Sequence, residues 1–128
     1  MAMRPLALIP LALLLALAWQ AQAKMRQHLA FTQLETEVSF WGRGAYLPTE
    51  RTRERTGAGI EQLVAATPKD ARAHALQASQ LAWESYWQQS GALAKEAIKA
   101  QKQALDWRPA HPQDQRLMVE YQSRNKAM

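Results

Sequence analysis

Apolar residues run almost unbroken from Pro5 to Trp19, then thin to single positions at Phe31, Leu34, Val38 and Trp41. Those four are spaced three, four and three apart, which is a helical seam, and no Gly or Pro falls between Pro10 and Gly42. The pattern predicts one long helix that continues past the apolar run. Gly42, Gly44 and Pro48 then break it. The next helix opens on the charged run TERTRERT, with Ile60, Leu63 and Val64 as its apolar positions. Gly57 and Gly59 weaken it by about 1 kcal/mol each relative to alanine, so they mark a close approach of another helix or a kink.

Thr67 and Pro68 end that helix, and the following one runs from Ala71 to Gln89 with small and large residues alternating along a broad face. Ser90 and Gly91 make a turn short enough to force an antiparallel neighbour. In GALAKEAIKAQKQALDWRPAHP, Ala97, Ile98, Gln101, Ala104 and Leu105 share one face and Lys95, Lys99 and Lys102 another, and Pro109 and Pro112 close the segment. After Pro112, Leu117, Met118 and Tyr121 suffice for a last helix across the end of the stack.

Composition narrows the class. Only five Gly and six Pro occur in 128 residues, which favours helices over a sheet, and the absence of cysteine excludes disulfides, thiolate metal sites and a cysteine nucleophile. The N-terminus carries Arg4, the apolar run, and Ala21 and Ala23 flanking Gln22 as an A-x-A site, so residues 1–23 are an export signal or signal anchor. Cleavage would leave a periplasmic product. Retention is favoured by the uncharged run from Pro5 to Ala23, just long enough to cross a bilayer, and by Trp19 at an interfacial position. The formal charge of +5 is spread along the chain and interleaved with acids, so no nucleic-acid footprint is present.

The helix, turn, helix order recurs weakly: IEQLVAATPKD and AQKQALDWRPAHPQD both pass from helix to proline to acid. Glu96, Ala97, Ile98, Ala104, Leu105 and Pro109 resemble the second half of a tetratricopeptide repeat, while Tyr86 and Trp87 are displaced from that family's aromatic positions. The layout, with its ALDWRPAHP end, also resembles the VpsP type of exopolysaccharide biosynthesis accessory protein. That resemblance implies a scaffold and transfers no catalytic residue.

Candidate chemistry is sparse. Trp83, Tyr86 and Trp87 share a helical face and suit either core packing or stacking on sugar rings. Glu84, in WESYW, resembles the acid of lytic transglycosylases, but the supporting residues and the length needed for a substrate cleft are lacking. His28, His74 and His111 are too far apart in sequence to pair at ligand spacing. Lys95, Lys99 and Lys102 are a solvated face or a contact for anionic lipid or polysaccharide.

The expectation is therefore an all-α protein with a signal anchor over 1–23, a helical stalk over 24–42, and three or four antiparallel helices over 43–128 in a tetratricopeptide-like arrangement. It is expected to sit in a bacterial inner membrane by a single span, with its domain facing the periplasm. Its expected work is non-enzymatic and without cofactor or metal: a scaffold for envelope or polysaccharide assembly. Trp83, Tyr86, Trp87, Lys95, Lys99 and Lys102 would contact its partner. A small glycan-binding module is the alternative, and a hydrolase using Glu84 a more distant one.

Overall fold

The computed structural model describes residues 5–127, and the side chains of 8–126; Arg4 lies outside the described residues. The protein is all-α. Five helices follow in order: α1 (Pro5–Phe40), α2 (Glu50–Ala66), α3 (Ala71–Gln88), α4 (Gly91–Trp107) and α5 (Pro112–Ala127). Among the described residues there is no strand.

Each break has a local cause. Thr49 caps α2, its hydroxyl accepting the Thr52 N–H at 3.2 Å, and the Thr67 hydroxyl closes the helix by donating to the Leu63 carbonyl at 2.7 Å. Asp70 caps α3 by accepting from the Arg72 N–H at 2.9 Å, and Ser90 caps α4 by accepting from Leu93 at 3.2 Å. Between them Gln89 takes the left-handed conformation, φ 51°, that reverses the chain where glycine would be usual. His111 performs the capping role for α5, with Nδ1 accepting the Asp114 N–H at 3.3 Å.

The core has two parts. Phe31, Val38 and Trp41 from the end of α1 meet Ile60 and Leu63 of α2 and Ala73 and Leu76 of α3. The seam predicted on α1 is thus the face that docks on the domain: packing starts at Phe31, whereas residues 24–30 are exposed. The second part joins Ala78 and Ala82 of α3, Ala97 and Ala100 of α4, and Tyr121 of α5. On α4 the buried residues are Ala94, Ala97, Ala100, Gln101 and Ala104, while Ile98 and Leu105 are only half-buried. The contact face is turned toward the alanines because small side chains on both α3 and α4 let the two backbones come close.

Gly57 and Gly59 mark close approaches. A Cβ at Gly59 would lie 3.0 Å from Leu34 of α1, and one at Gly57 would lie 3.2 Å from the Gln80 amide of α3. Glycine here lets α2 nest against two helices at once.

The helices alternate in direction. Along the groove between α1 and α2, Glu37 lies toward Thr52 and Arg26 toward Ala66, with Leu34 facing Gly59. Helix α3 starts with Arg72 against Phe31, 4.8 Å from guanidinium carbon to ring centroid, and ends with Trp87 against Trp41. The α4–α5 turn returns to the level of Phe31, where Arg108 and His111 share a groove with Phe31, Glu35 and Arg72. A polar knot holds that turn. Arg108 makes a two-pronged ion pair to Asp114, 2.5 and 3.2 Å, and the fully buried Gln101 donates to the Asp114 carbonyl at 2.9 Å.

Candidate functional site

The end of the molecule away from the apolar run of α1 carries the aromatic residues. Trp83, Tyr86 and Trp87 are placed on one side of α3 by their i, i+3, i+4 spacing. Trp87 sits between two other indoles, with Trp41 tilted against it at 5.3 Å and Trp83 stacked at 5.3 Å and 28°. The Arg53 guanidinium carbon lies 5.2 Å from the Trp87 ring centroid. Both tryptophans are half-buried and pack against the core. Tyr86 differs: it meets Trp83 edge-on at 6.3 Å and stays 55% exposed, so its ring is available to a ligand.

The loop after α1 closes over this cluster. Gly42 has φ +72°, and a Cβ there would overlap the six-membered ring of Trp83, so the backbone lies directly on the indole. Glu37 ties the loop down, its Oε1 accepting from Trp41 Nε1 at 3.2 Å and from the Tyr46 hydroxyl at 2.7 Å. That bond to Glu37, more than desolvation or charge, raises the Tyr46 pKa above its ordinary value, because ionising the phenol would remove the shared proton.

Loop, α3, α4 and α5 together border a groove of 680 Å³. Leu47 forms one wall, Trp83 and Tyr86 another, Ala94 and Ala97 the floor, and Tyr121 with Arg124 the far side. Leu47 is 72% exposed at its edge. Arg124 is paired with Glu120 at 2.6 Å. The lining is mostly apolar and aromatic with one cation, the character of a surface that takes a hydrophobic side chain or helix.

Lys95, Lys99 and Lys102 are all exposed on α4. They lie roughly half a helical turn from Ala97 and Ala104, which face the core, so the lysines look away from the aromatic groove. The six residues anticipated as a partner site therefore fall on two surfaces. The groove residues that sequence reasoning missed are Leu47, Tyr121 and Arg124. Nothing local marks them, since the loop after α1 and helix α5 meet only in the fold; the Gly42 and Gly44 pair was the one available signal that the loop folds back.

Glu84 is engaged structurally. Its Oε2 lies 3.3 Å from Arg53 Nη1 and accepts from the Gln88 amide at 2.7 Å. This joins α2 to α3 and occupies the carboxylate with partners inside the fold. His74 is also structural, with Nε2 2.6 Å from the Pro68 carbonyl, pinning the α2–α3 turn to α3. Among the described residues no group of His, Asp and Glu could hold a metal ion.

Comparison with protein-family models, with curated proteins and with solved structures gives no match to this chain.

Proposed function

We propose that this protein is a non-catalytic, membrane-anchored scaffold or adaptor on the periplasmic side of a bacterial inner membrane, serving envelope or exopolysaccharide assembly. The groove bordered by Trp83, Tyr86 and Leu47 supports this reading above all: it offers an exposed aromatic anchor beside an apolar floor. A partner's apolar helix or loop would displace water from Tyr86 and Leu47 without disturbing the indole stack beneath. The tetratricopeptide-like helical pair α3–α4 is consistent with such work. One helix with an 18-residue window of mean hydropathy 1.4 and none of that window buried supports an anchor.

A photo-crosslinking residue at Tyr86, in the full chain in its own membranes, tests the proposal. The expected result is one defined envelope or polysaccharide-assembly protein crosslinked from position 86 and not from position 99. Binding to purified polysaccharide that is lost in Tyr86→Ala would instead favour a glycan-binding module. Glycan turnover abolished by Glu84→Gln would overturn both readings.

A further inference from the structure

Placing α1 across a bilayer fixes how high the rest of the domain stands above it. The uncharged run ends at Ala23. At a rise of about 1.5 Å per residue, Arg26 stands roughly 5 Å and Phe31 roughly 12 Å beyond that point. The headgroup layer occupies roughly 5–8 Å on each side of the hydrocarbon core. Helix α2 descends along α1 until Ala66 is level with Arg26 and Gln27, so the turn that follows, with exposed Pro68 and Lys69, lies at the height of the headgroups. The α4–α5 turn is level with Phe31, about one helical turn higher and so above the headgroup layer.

Exposed Lys24 and Arg26 lie at the same height on α1. The acids near this end are Asp70, which is occupied capping α3 and lies 3.8 Å from Arg72, the exposed Glu61 and Asp106, and Asp114, which is buried against Arg108. Exposed cations therefore outnumber free carboxylates here. The opposite end also carries exposed cations, Arg43, Arg51 and Lys126, so height above the bilayer, and not charge alone, selects this end.

Resting on the reading of α1 as a retained anchor, we infer that the end of the domain formed by Lys24, Arg26 and Lys69 seats directly on the anionic headgroups of the bilayer that α1 crosses. The domain is then held down on the membrane, with the aromatic groove at its far end facing away. Lipid contact by these residues holds the direction in which the groove is presented.

The cysteine-free chain makes the test selective. Fluorophores are attached to Ala66→Cys, Ala110→Cys and, at the far end, Ala45→Cys, in full chain reconstituted into phosphatidylcholine vesicles with or without phosphatidylglycerol and carrying a headgroup-attached quencher. The expected result is quenching several-fold stronger at position 66 than at 45, with 110 between them, strengthened at 66 by phosphatidylglycerol and weakened there by Lys69→Glu. Equal quenching at all three positions, or no response at 66 to phosphatidylglycerol or to Lys69→Glu, overturns the inference. Flotation after an alkaline wash separates the two readings: chain that leaves the vesicles overturns the anchor and the seating together, whereas chain that stays while 66 remains unquenched overturns the seating alone.

Discussion

Replacing Gly42 with alanine adds one methyl group at a position where two separate penalties meet. The backbone there has φ +72°, and a non-glycine residue in the left-handed region costs about 1–2 kcal/mol. The new Cβ would also overlap the Trp83 ring, which is stacked on Trp87 and cannot retreat without disturbing the core, and overpacking of that kind costs about 1–3 kcal/mol. Gly44 supplies the control: its φ is +57°, but nothing lies within 4 Å of a Cβ, so alanine there meets only the first penalty. Thermal unfolding of the full chain in detergent, followed by circular dichroism, should place Gly44→Ala about 1–2 kcal/mol below the parent and Gly42→Ala about 2–5 kcal/mol below it. At about 4–8 °C per kcal/mol for a domain of this size, the two variants are readily resolved. Trp83→Leu in the Gly42→Ala background should recover part of the excess loss relative to Trp83→Leu alone, because the ring that collides is gone. Equal melting temperatures for the two glycine variants would refute the claim that the loop backbone rests on the indole.

Arg108→Ala strips the partner from a carboxylate that is 2% exposed, and unfolding in urea should show a loss of about 3 kcal/mol, whereas Arg124→Ala, which breaks an exposed i, i+4 pair, should cost no more than about 0.5 kcal/mol. Tyr121 has its pKa raised by burial, which outweighs the opposing pull of the Ser79 hydroxyl. The folded state therefore holds the phenol proton more tightly than the unfolded state does. Stability from this group is complete below pH about 10 and falls as pH rises beyond it, so Tyr121→Phe should flatten the alkaline limb of the melting-temperature profile. Glu84→Gln, by weakening the tie to Arg53, should lower the melting temperature measurably while Tyr86→Ala, at a half-exposed ring, changes it little.

The course of the backbone was legible because its punctuation is chemical and local. Gly42 to Pro48, Thr67 and Pro68, Ser90 and Gly91, and Pro109 to Pro112 coincide with the four breaks between the helices of the structure. Periodicity likewise placed Phe31, Val38, Trp41, Ile60 and Leu63 on buried faces. What local pattern does not carry is which polar residue answers which across the fold. Glu84 invites a catalytic reading in isolation and is explained only by Arg53, 31 positions earlier. Gln101 reads as a polar intrusion on an apolar face until the Asp114 carbonyl supplies its partner. The candidate site divides for the same reason: Trp83, Tyr86 and Trp87 share a face by helical arithmetic, yet Tyr86 alone keeps its ring largely in solvent, because the indoles of its two neighbours are taken by Trp41, Arg53 and the backbone of Gly42. An aromatic triplet on a helix thus becomes two residues packed on the core and one exposed ring, and the difference is decided by a loop some forty residues upstream. The same loop sets the direction of the groove. Because α3 ends where α1 ends, the residues that finish the core at Trp41 also raise Tyr86 and Leu47 to the end of the domain opposite the apolar segment, so packing of α1 onto the domain positions the aromatic groove as well as stabilising the fold.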